Sequence, residues 1–283
     1  MRRWVPILLL LLCVIMLQGQ GRYGSRGGGY GRRGDRQAAP PQVDDLNWTV
    51  DPKFKNDVFT FVRIQYQSSG GWGREKWRTD WPDSDQNFSF RLQQVTALKV
   101  NPNPVIIELT HKELFQYPWI YIVEPGRLVF TEEEVAALRK YLLGGGFLMV
   151  DDFWGVDEYQ NFYDQIKRVF PEKEPKDLSI TDPIFNCVFP LKDKLPRLPQ
   201  IPNIYLGIES EWSHITWERP DAVNPEYRAI YDDDGRMIVI ICHNTDLGDG
   251  WEREGESEYY FREFSEKQAY PLGINIVFYA MTH

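Results

Sequence analysis

Between Tyr117 and Gly155 the chain reads YPWIYIVEPGRLVFTEEEVAALRKYLLGGGFLMVDDFWG, and its apolar positions change period twice. Trp119 to Val123 is an unbroken apolar run, the pattern of a strand buried on both faces. Val135, Leu138 and Leu142 then fall on one helical face. Thr131 and Glu134 form a capping box for that helix, and Glu132 and Glu133 complement its dipole. Gly144, Gly145 and Gly146 end it, with Gly144 free to take the left-handed conformation after the last turn. Phe147 to Val150 is a second buried strand, which delivers Asp151 and Asp152 to its C-terminal end. Strand, helix and strand make a βαβ unit. This predicts an α/β sheet with two carboxylates at the edge where such sheets bind ligands.

The same patterns place the other elements. Val58 to Tyr66 is rich in β-branched and aromatic residues and predicts a strand. A polar, Trp-rich loop over 67–87 leads to a helix from Phe88 to Lys99, with Asp85 or Asn87 as its N-cap. Asn101-Pro-Asn-Pro104 breaks the chain before the strand Val105 to Leu109. Val156 to Phe170 is an amphipathic helix with Phe162, Ile166 and Val169 inward. Residues 171–204 are interrupted by proline and predict a covering excursion. Glu226 to Asn244 is a hairpin turning at Asp233-Asp234-Gly235. The C-terminal segment from Ser265 is a helix with Pro271 near its first turn. Its apolar run from Leu272 to Met281 is too short to span a bilayer and predicts a buried core helix.

The first 45 residues read differently. Arg2 and Arg3 precede an apolar run from Trp4 to Leu17, the form of an export signal. Gly19-Gln20-Gly21 supplies small residues for cleavage, so 1–21 is a signal peptide; an uncleaved N-terminal anchor is the alternative. Residues 22–45 are Gly/Arg-rich and then Pro-rich, a flexible linker without apolar periodicity. Residues 46–283 form one α/β domain. Seven Arg against one Asp give residues 1–36 a charge of +6, whereas the remainder carries 25 basic against 40 acidic residues, or −15. An exported, acidic body speaks against nucleic acid and favours cations or neutral ligands. Membrane contact is expected only through an uncleaved N-terminus or the basic arm. The expected setting is periplasmic or secreted, with an envelope protein or carbohydrate as partner. Beyond the signal only Cys187 and Cys242 remain, either as one disulfide or as two buried thiols.

Five segments, WRTDWPDSDQN, ELFQYPWIYIVEPG, YLLGGGFLMVDDFWG, HNTDLGDGWE and YPLGINIVFYAMTH, together resemble a bacterial family known as domain of unknown function 4159. The resemblance covers the chain after the linker. It implies a flavodoxin-like, class I glutamine amidotransferase-like fold: a mostly parallel sheet with helices on both faces and a C-terminal hairpin. It implies no activity and no catalytic residue. The residues themselves argue against amidotransferase chemistry. Such enzymes carry a Cys on a tight turn after the strand equivalent to Phe147–Val150, and here that turn is Asp151-Asp152-Phe153-Trp154-Gly155.

Three acidic clusters are candidates for the carboxyl edge of the sheet. They are Asp80, Asp83 and Asp85; Asp151 and Asp152; and His243, Asn244, Asp246 and Asp249 on the loop leaving the hairpin. Converging carboxylates cannot all stay ionised without a cation. Oxygen ligands with one imidazole suit Ca²⁺, Mg²⁺ or Mn²⁺, and Asp152, His243 and Asp246 are the candidate metal set, closed by Asp80 or Asp83. The competing expectation is that these aspartates cap helices and accept loop N–H groups. Trp72, Trp77, Trp81, Trp154 and Trp251 lie in loops near the acids. They predict either sugar-stacking surfaces or a small core roofing the sheet edge. His111, His214 and His283 read as ordinary surface histidines. Arg63, in a buried strand, needs a carboxylate, with Asp151 or Asp152 as the expected partner. Two functions follow: an exported binding module with an acidic, Trp-rich cleft, or a metal-assisted hydrolase of an envelope carbohydrate or ester.

Overall fold

The unbroken apolar runs of the buried strands build a sheet whose two faces are both covered. The computed structural model describes residues 48–54, 57–69 and 75–283; the expected signal and linker, and Trp72, lie outside these. The first half of the domain holds β1 (Val62–Ile64), β2 (Gln67–Ser68), α1 (Asp83–Val95), β3 (Val105–Ile107), β4 (Trp119–Val123), β5 (Leu128–Val129) and α2 (Glu132–Leu143). Then follow β6 (Phe147–Asp151), α3 (Gly155–Val169), β7 (Lys176–Asp177), α4 (Ile204–Ser213), β8 (Glu226–Tyr231) and β9 (Met237–His243). The chain ends with α5 (Leu247–Glu252), α6 (Glu258–Tyr260), a π-helical stretch (Phe261–Ala269) and α7 (Tyr270–Thr282).

The main sheet has the order β3-β1-β4-β6-β9-β8-β7. The first five strands run parallel, and β8 and β7 are antiparallel additions. Taken in chain order, the parallel strands lie 2-1-3-4-5, the flavodoxin-like arrangement, with its switch point between β1 and β4. Within β4, Trp119, Tyr121 and Val123 pack with Phe88 and Leu92 of α1 and Ile274 and Val277 of α7. Ile120 and Ile122 face the other way, among Leu138 and Leu142 of α2 and Phe162 and Ile166 of α3. Period two along one strand thus feeds two cores.

Several local expectations shift for identifiable reasons. The capping box at Thr131 and Glu134 is present. The left-handed glycine after α2 is Gly145 at φ +108°, one residue beyond Gly144, which stays at φ −86°. Helix α1 starts at Asp83, five residues before Phe88, because Asp85 gives its carboxylate to Arg63 and does not cap. The excursion over 171–204 is not purely a cover: β7 within it pairs with β8 at the sheet edge. The segment 247–252, expected as loop, is the short helix α5. The final helix starts earlier than Ser265. Pro271 brings no N–H to it, and the N–H of Tyr270 reaches five residues back to the carbonyl of Ser265, closing a wide turn. No described helix is long and apolar enough to cross a membrane. Cys187 is exposed and Cys242 is buried, and both are free thiols, so neither the disulfide nor the pair of buried thiols is found.

The largest correction concerns Arg63, which has no exposed surface. Its partner is Asp85, not Asp151 or Asp152: Nε donates to Oδ2 at 3.0 Å, and Nη2 donates to Oδ1. Nη1 donates to the carbonyls of Trp77 (3.0 Å) and Thr79 (2.8 Å), and Nη2 also donates to the Ser84 hydroxyl (3.0 Å). Burial disfavours the charge, and Asp85 more than restores it. Arg63→Met would strand the Asp85 carboxylate in the core and is expected to cost about 3–5 kcal/mol. Replacing both residues by apolar ones should cost much less. Urea unfolding of the two variants beside the parent checks this, and equal losses would mean that the pair is not the source of the stability.

Candidate functional site

Strand ends set the site. Immediately after β4, β6 and β9 stand Glu124 (φ +47°), Asp152 (φ +56°) and Asn244 (φ +60°), and Asp80 in the loop between β2 and α1 has φ +62°. Left-handed backbone costs energy outside glycine, though Asp and Asn tolerate it better than most. Four such residues, each polar, crowd the carboxyl edge of one sheet. Each turns the chain sharply over the strand ends, so side chains that would otherwise diverge are brought together.

Asp80, Asp152 and Asp246 each offer a carboxylate oxygen, and these oxygens lie within 4.8 Å of one another. Asp152 and Asp246 are buried. Asp80 is half-buried as a residue, yet its Oδ2 is shielded from solvent and has no hydrogen-bond partner among the described residues. Asp152 Oδ1 accepts the indole N–H of Trp154 at 3.2 Å. Asp246 Oδ1 caps α5 by accepting the N–H of Asp249 at 2.7 Å. One oxygen of each carboxylate is therefore still free to face the others. Burial is the main force raising all three pKa values well above the ordinary aspartate value. Added repulsion comes from Asp249 and Glu252 on Asp80, from Glu124 and Asp80 on Asp152, and from Asp152 and Asp249 on Asp246.

Asp151 lies directly beneath. Its Oδ2 accepts from the Tyr121 hydroxyl (3.0 Å) and from the N–H groups of Leu247 (2.9 Å) and Gly248 (3.1 Å). Burial pushes its pKa up to about 7 against these three donors. It anchors the turn into α5 and is a structural neighbour of the triad. Gly248 is where the chain must come close: a Cβ there would sit 2.3 Å from Asp80 Oδ2 and 3.3 Å from Asp246 Oδ1.

A second group, Asp80, Asp249 and Glu252, is equally close. It already has a counter-ion, because Arg253 lies 2.6 Å from Glu252 and 3.8 Å from Asp249. Asp249 Oδ2 also accepts the N–H of Ile204 at 2.8 Å, at the start of α4. The first triad has no such cation among the described residues. Arg63, whose charge is felt by Asp80, is committed to Asp85 and to two carbonyls.

The other predicted residues divide clearly. His243 is not a ligand with Asp152 and Asp246. Its Nε2 meets the Gly155 carbonyl at 3.0 Å, its Nδ1 meets Glu226 at 3.1 Å, and its ring packs between Phe153 and Tyr159. The strand sends it to the α3 face, while Asn244 turns the chain so that Asp246 reaches the opposite side. Burial lowers its pKa below the ordinary histidine value despite two acceptor neighbours. Asn244 is a brace, accepting the N–H of Gly155 (2.9 Å) and donating to the Asn224 carbonyl (2.9 Å). Asp83 is exposed in the first turn of α1 and stays out of the triad. Among the tryptophans, Trp77 and Trp154 are buried and Trp251 lies in the core against Phe88. They roof the sheet and offer no open face to a sugar; Trp81 is half-buried. Glu124, Lys76 and Gly248 belong to this edge and were not picked out from the sequence. An acid directly after a buried strand, as in Val123-Glu124-Pro125, is the signal that marks Glu124.

A sequence profile described as "Domain of unknown function (DUF4159)" matches residues 60–281, which takes in every side chain of this edge. No curated protein matches the chain.

Without a bound cation, the folded protein retains protons that the unfolded chain releases above about pH 4. Stability should therefore fall as pH rises above about 4, with the share carried by Asp151 lost through about pH 7. Each retained proton contributes a slope of about 1.4 kcal/mol per pH unit. Melting curves in EDTA are expected to give a higher Tm at pH 5 than at pH 7.5, with the difference reduced in Asp152→Asn. A Tm that rises with pH would mean that the carboxylates are ionised and compensated in some other way.

Proposed function

The chain belongs to the DUF4159 family, and we propose that its domain is a cation-dependent binding module, exported to the cell envelope, in which Asp80, Asp152 and Asp246 hold one divalent ion. The observation that carries this is the meeting of three carboxylate oxygens within 4.8 Å, drawn from three separate segments and with no basic side chain ion-paired to them among the described residues. The orphaned Asp80 Oδ2 is the second support: a buried carboxylate oxygen without a donor is costly unless something positive occupies the space before it. An all-oxygen set suits Mg²⁺, Ca²⁺ or Mn²⁺. Export rests on the Arg2-Arg3 pair and the apolar run that follows.

The hydrolase alternative is weakened by the position of His243. With the imidazole engaged elsewhere, any metal-bound water would face three anionic ligands. These neutralise the ion and leave it a poorer acid than a histidine-rich site does. Binding needs no such activation, and a saturated, charge-neutralised ion can order the loops around it.

Loading the site should stabilise the fold. At a hundred times its dissociation constant, an ion adds about 2.7 kcal/mol. Melting curves of EDTA-treated protein with and without excess Mg²⁺, Ca²⁺ or Mn²⁺ are expected to separate by several degrees. Asp152→Asn or Asp246→Asn should abolish the separation. Equal curves for the parent protein with all three ions, or a separation that survives both substitutions, would refute the site. Gly248→Ala offers a milder probe: it displaces the Asp80 carboxylate and should weaken the ion's effect while the protein still folds cooperatively.

A further inference from the structure

A second feature sits beside the triad and is not explained by it. A pocket of about 180 Å³ opens among Lys76, Glu124, Gly126, Arg127, Glu158 and Arg219. It lies at the carboxyl end of β4, which Glu124 follows, on the side of the sheet edge where flavodoxin-like sheets take their ligands. Three of its six residues are cationic. Lys76 pairs with Glu124, and Arg219 pairs with Glu158. Arg127 is exposed and has no carboxylate partner among the described residues.

Glu124 joins the pocket to the triad. One of its oxygens pairs with Lys76, and the other accepts the hydroxyl of Thr79 at 2.9 Å, the residue immediately before Asp80. The charge of Glu124 is felt by both Asp80 and Asp152, and Lys76 is within electrostatic reach of Asp152. The pocket wall and the carboxylate site therefore share one hydrogen-bonded support.

Resting on the cation reading above, we propose that this pocket takes a phosphate monoester group, which bridges the ion held by Asp80, Asp152 and Asp246 to the side chains of Lys76, Arg127 and Arg219. Size and charge both point this way. The volume suits a phosphoryl head and is well below the 300–1,000 Å³ typical of sites that enclose whole drug-sized ligands. A guanidinium and an ammonium on one side and a divalent ion on the other are the usual neighbours of a bound phosphate. The N-terminus of α3 does not supply the site. The Trp154, Gly155 and Val156 N–H groups already donate to Glu158, Asn244 and Asp221. Binding must also depend on the metal, since without the ion an anion entering here would meet three aspartates and Glu124. Free phosphate esters and the head group of a phosphatidic acid surface carry the same chemistry.

Calorimetry on the full chain, with inorganic phosphate and glycerol phosphate as probes, tests this in Mg²⁺ and in EDTA. Binding is expected in Mg²⁺ only. Arg127→Gln should weaken it about tenfold or more while leaving the metal-induced Tm shift unchanged. Lys76→Met should also weaken phosphate binding, and it is read by that binding alone because the charge of Lys76 reaches Asp152 as well. Vesicles containing phosphatidic acid, set beside vesicles without it, distinguish a lipid source from a free ester. A metal-induced Tm shift without phosphate binding, or with binding indifferent to Arg127→Gln and Lys76→Met, overturns this inference alone. No metal-induced shift overturns the cation site itself, and phosphate binding that persists in EDTA overturns the bridge.

Discussion

The guanidinium of Arg63 lies inside the sheet with no exposed surface, and the loop that carries Asp80 is built around it. Strand β1 stops at Ile64, and eighteen residues, β2 among them, separate it from the start of α1. Five donor positions on one planar group gather that stretch: two go to the carboxylate of Asp85, one to Ser84, and the rest to the carbonyls of Trp77 and Thr79. Polar backbone that would otherwise be buried unpaired is satisfied by the same cation that neutralises Asp85. Asp80 is held between these contacts, one residue beyond Thr79. A lysine could not replace the fork, because a point charge cannot hold two carbonyls and both oxygens of a carboxylate in one plane.

The same edge shows how parallel strands can deliver side chains from separated segments to one place. A strand that continued straight would carry Asp152 and Asp246 away from each other. The left-handed steps at Asp152 and Asn244 fold the chain back over the sheet, and Asn244 locks the two turns together, its N–H donating to the Phe153 carbonyl at 2.9 Å. Such backbone conformations cluster where the surrounding structure over-determines them. Here the determining contacts are visible: Asn244 to Gly155 and Asn224, Asp151 to the N–H groups of Leu247 and Gly248, and Asp246 to that of Asp249.

These turns also explain what the sequence could and could not reveal. The βαβ unit, its capping box, the hairpin and the burial of both sheet faces are written in short-range periodicity, and they appear where that periodicity puts them. Asp152 and Asp246 were legible too, since they follow buried strands. His243 was grouped with them because it is near in sequence. Strand alternation had already assigned it to the other face, and only the turn at Asn244 separates it from Asp246 in space. Asp80 entered as a closing residue and proves to be a full member of the triad, because its position depends on Arg63 and Asp85, a pairing across twenty-two residues that no local pattern encodes. The tryptophans misled in a similar way. A loop residue is usually exposed, but Trp77, Trp154 and Trp251 are loop or short-helix residues over an edge that must itself be roofed.

Two acidic triads share Asp80, and they differ in what offsets their charge. In the group with Asp249 and Glu252, Arg253 supplies the positive charge from within the chain. Glu252 is still pushed up to about 7 by burial, so even a built-in cation compensates only in part. In the group with Asp152 and Asp246 the chain supplies Trp154 to one oxygen and a backbone N–H to another, both neutral donors. Neutral donors can satisfy lone pairs but cannot cancel three negative charges within 4.8 Å. Protons or a cation must do so. Protons would leave Asp80 Oδ2 without a partner unless they sit on it, and would be lost progressively as pH rises. A divalent ion answers both demands at once, since it accepts a lone pair from each carboxylate and its charge does not titrate.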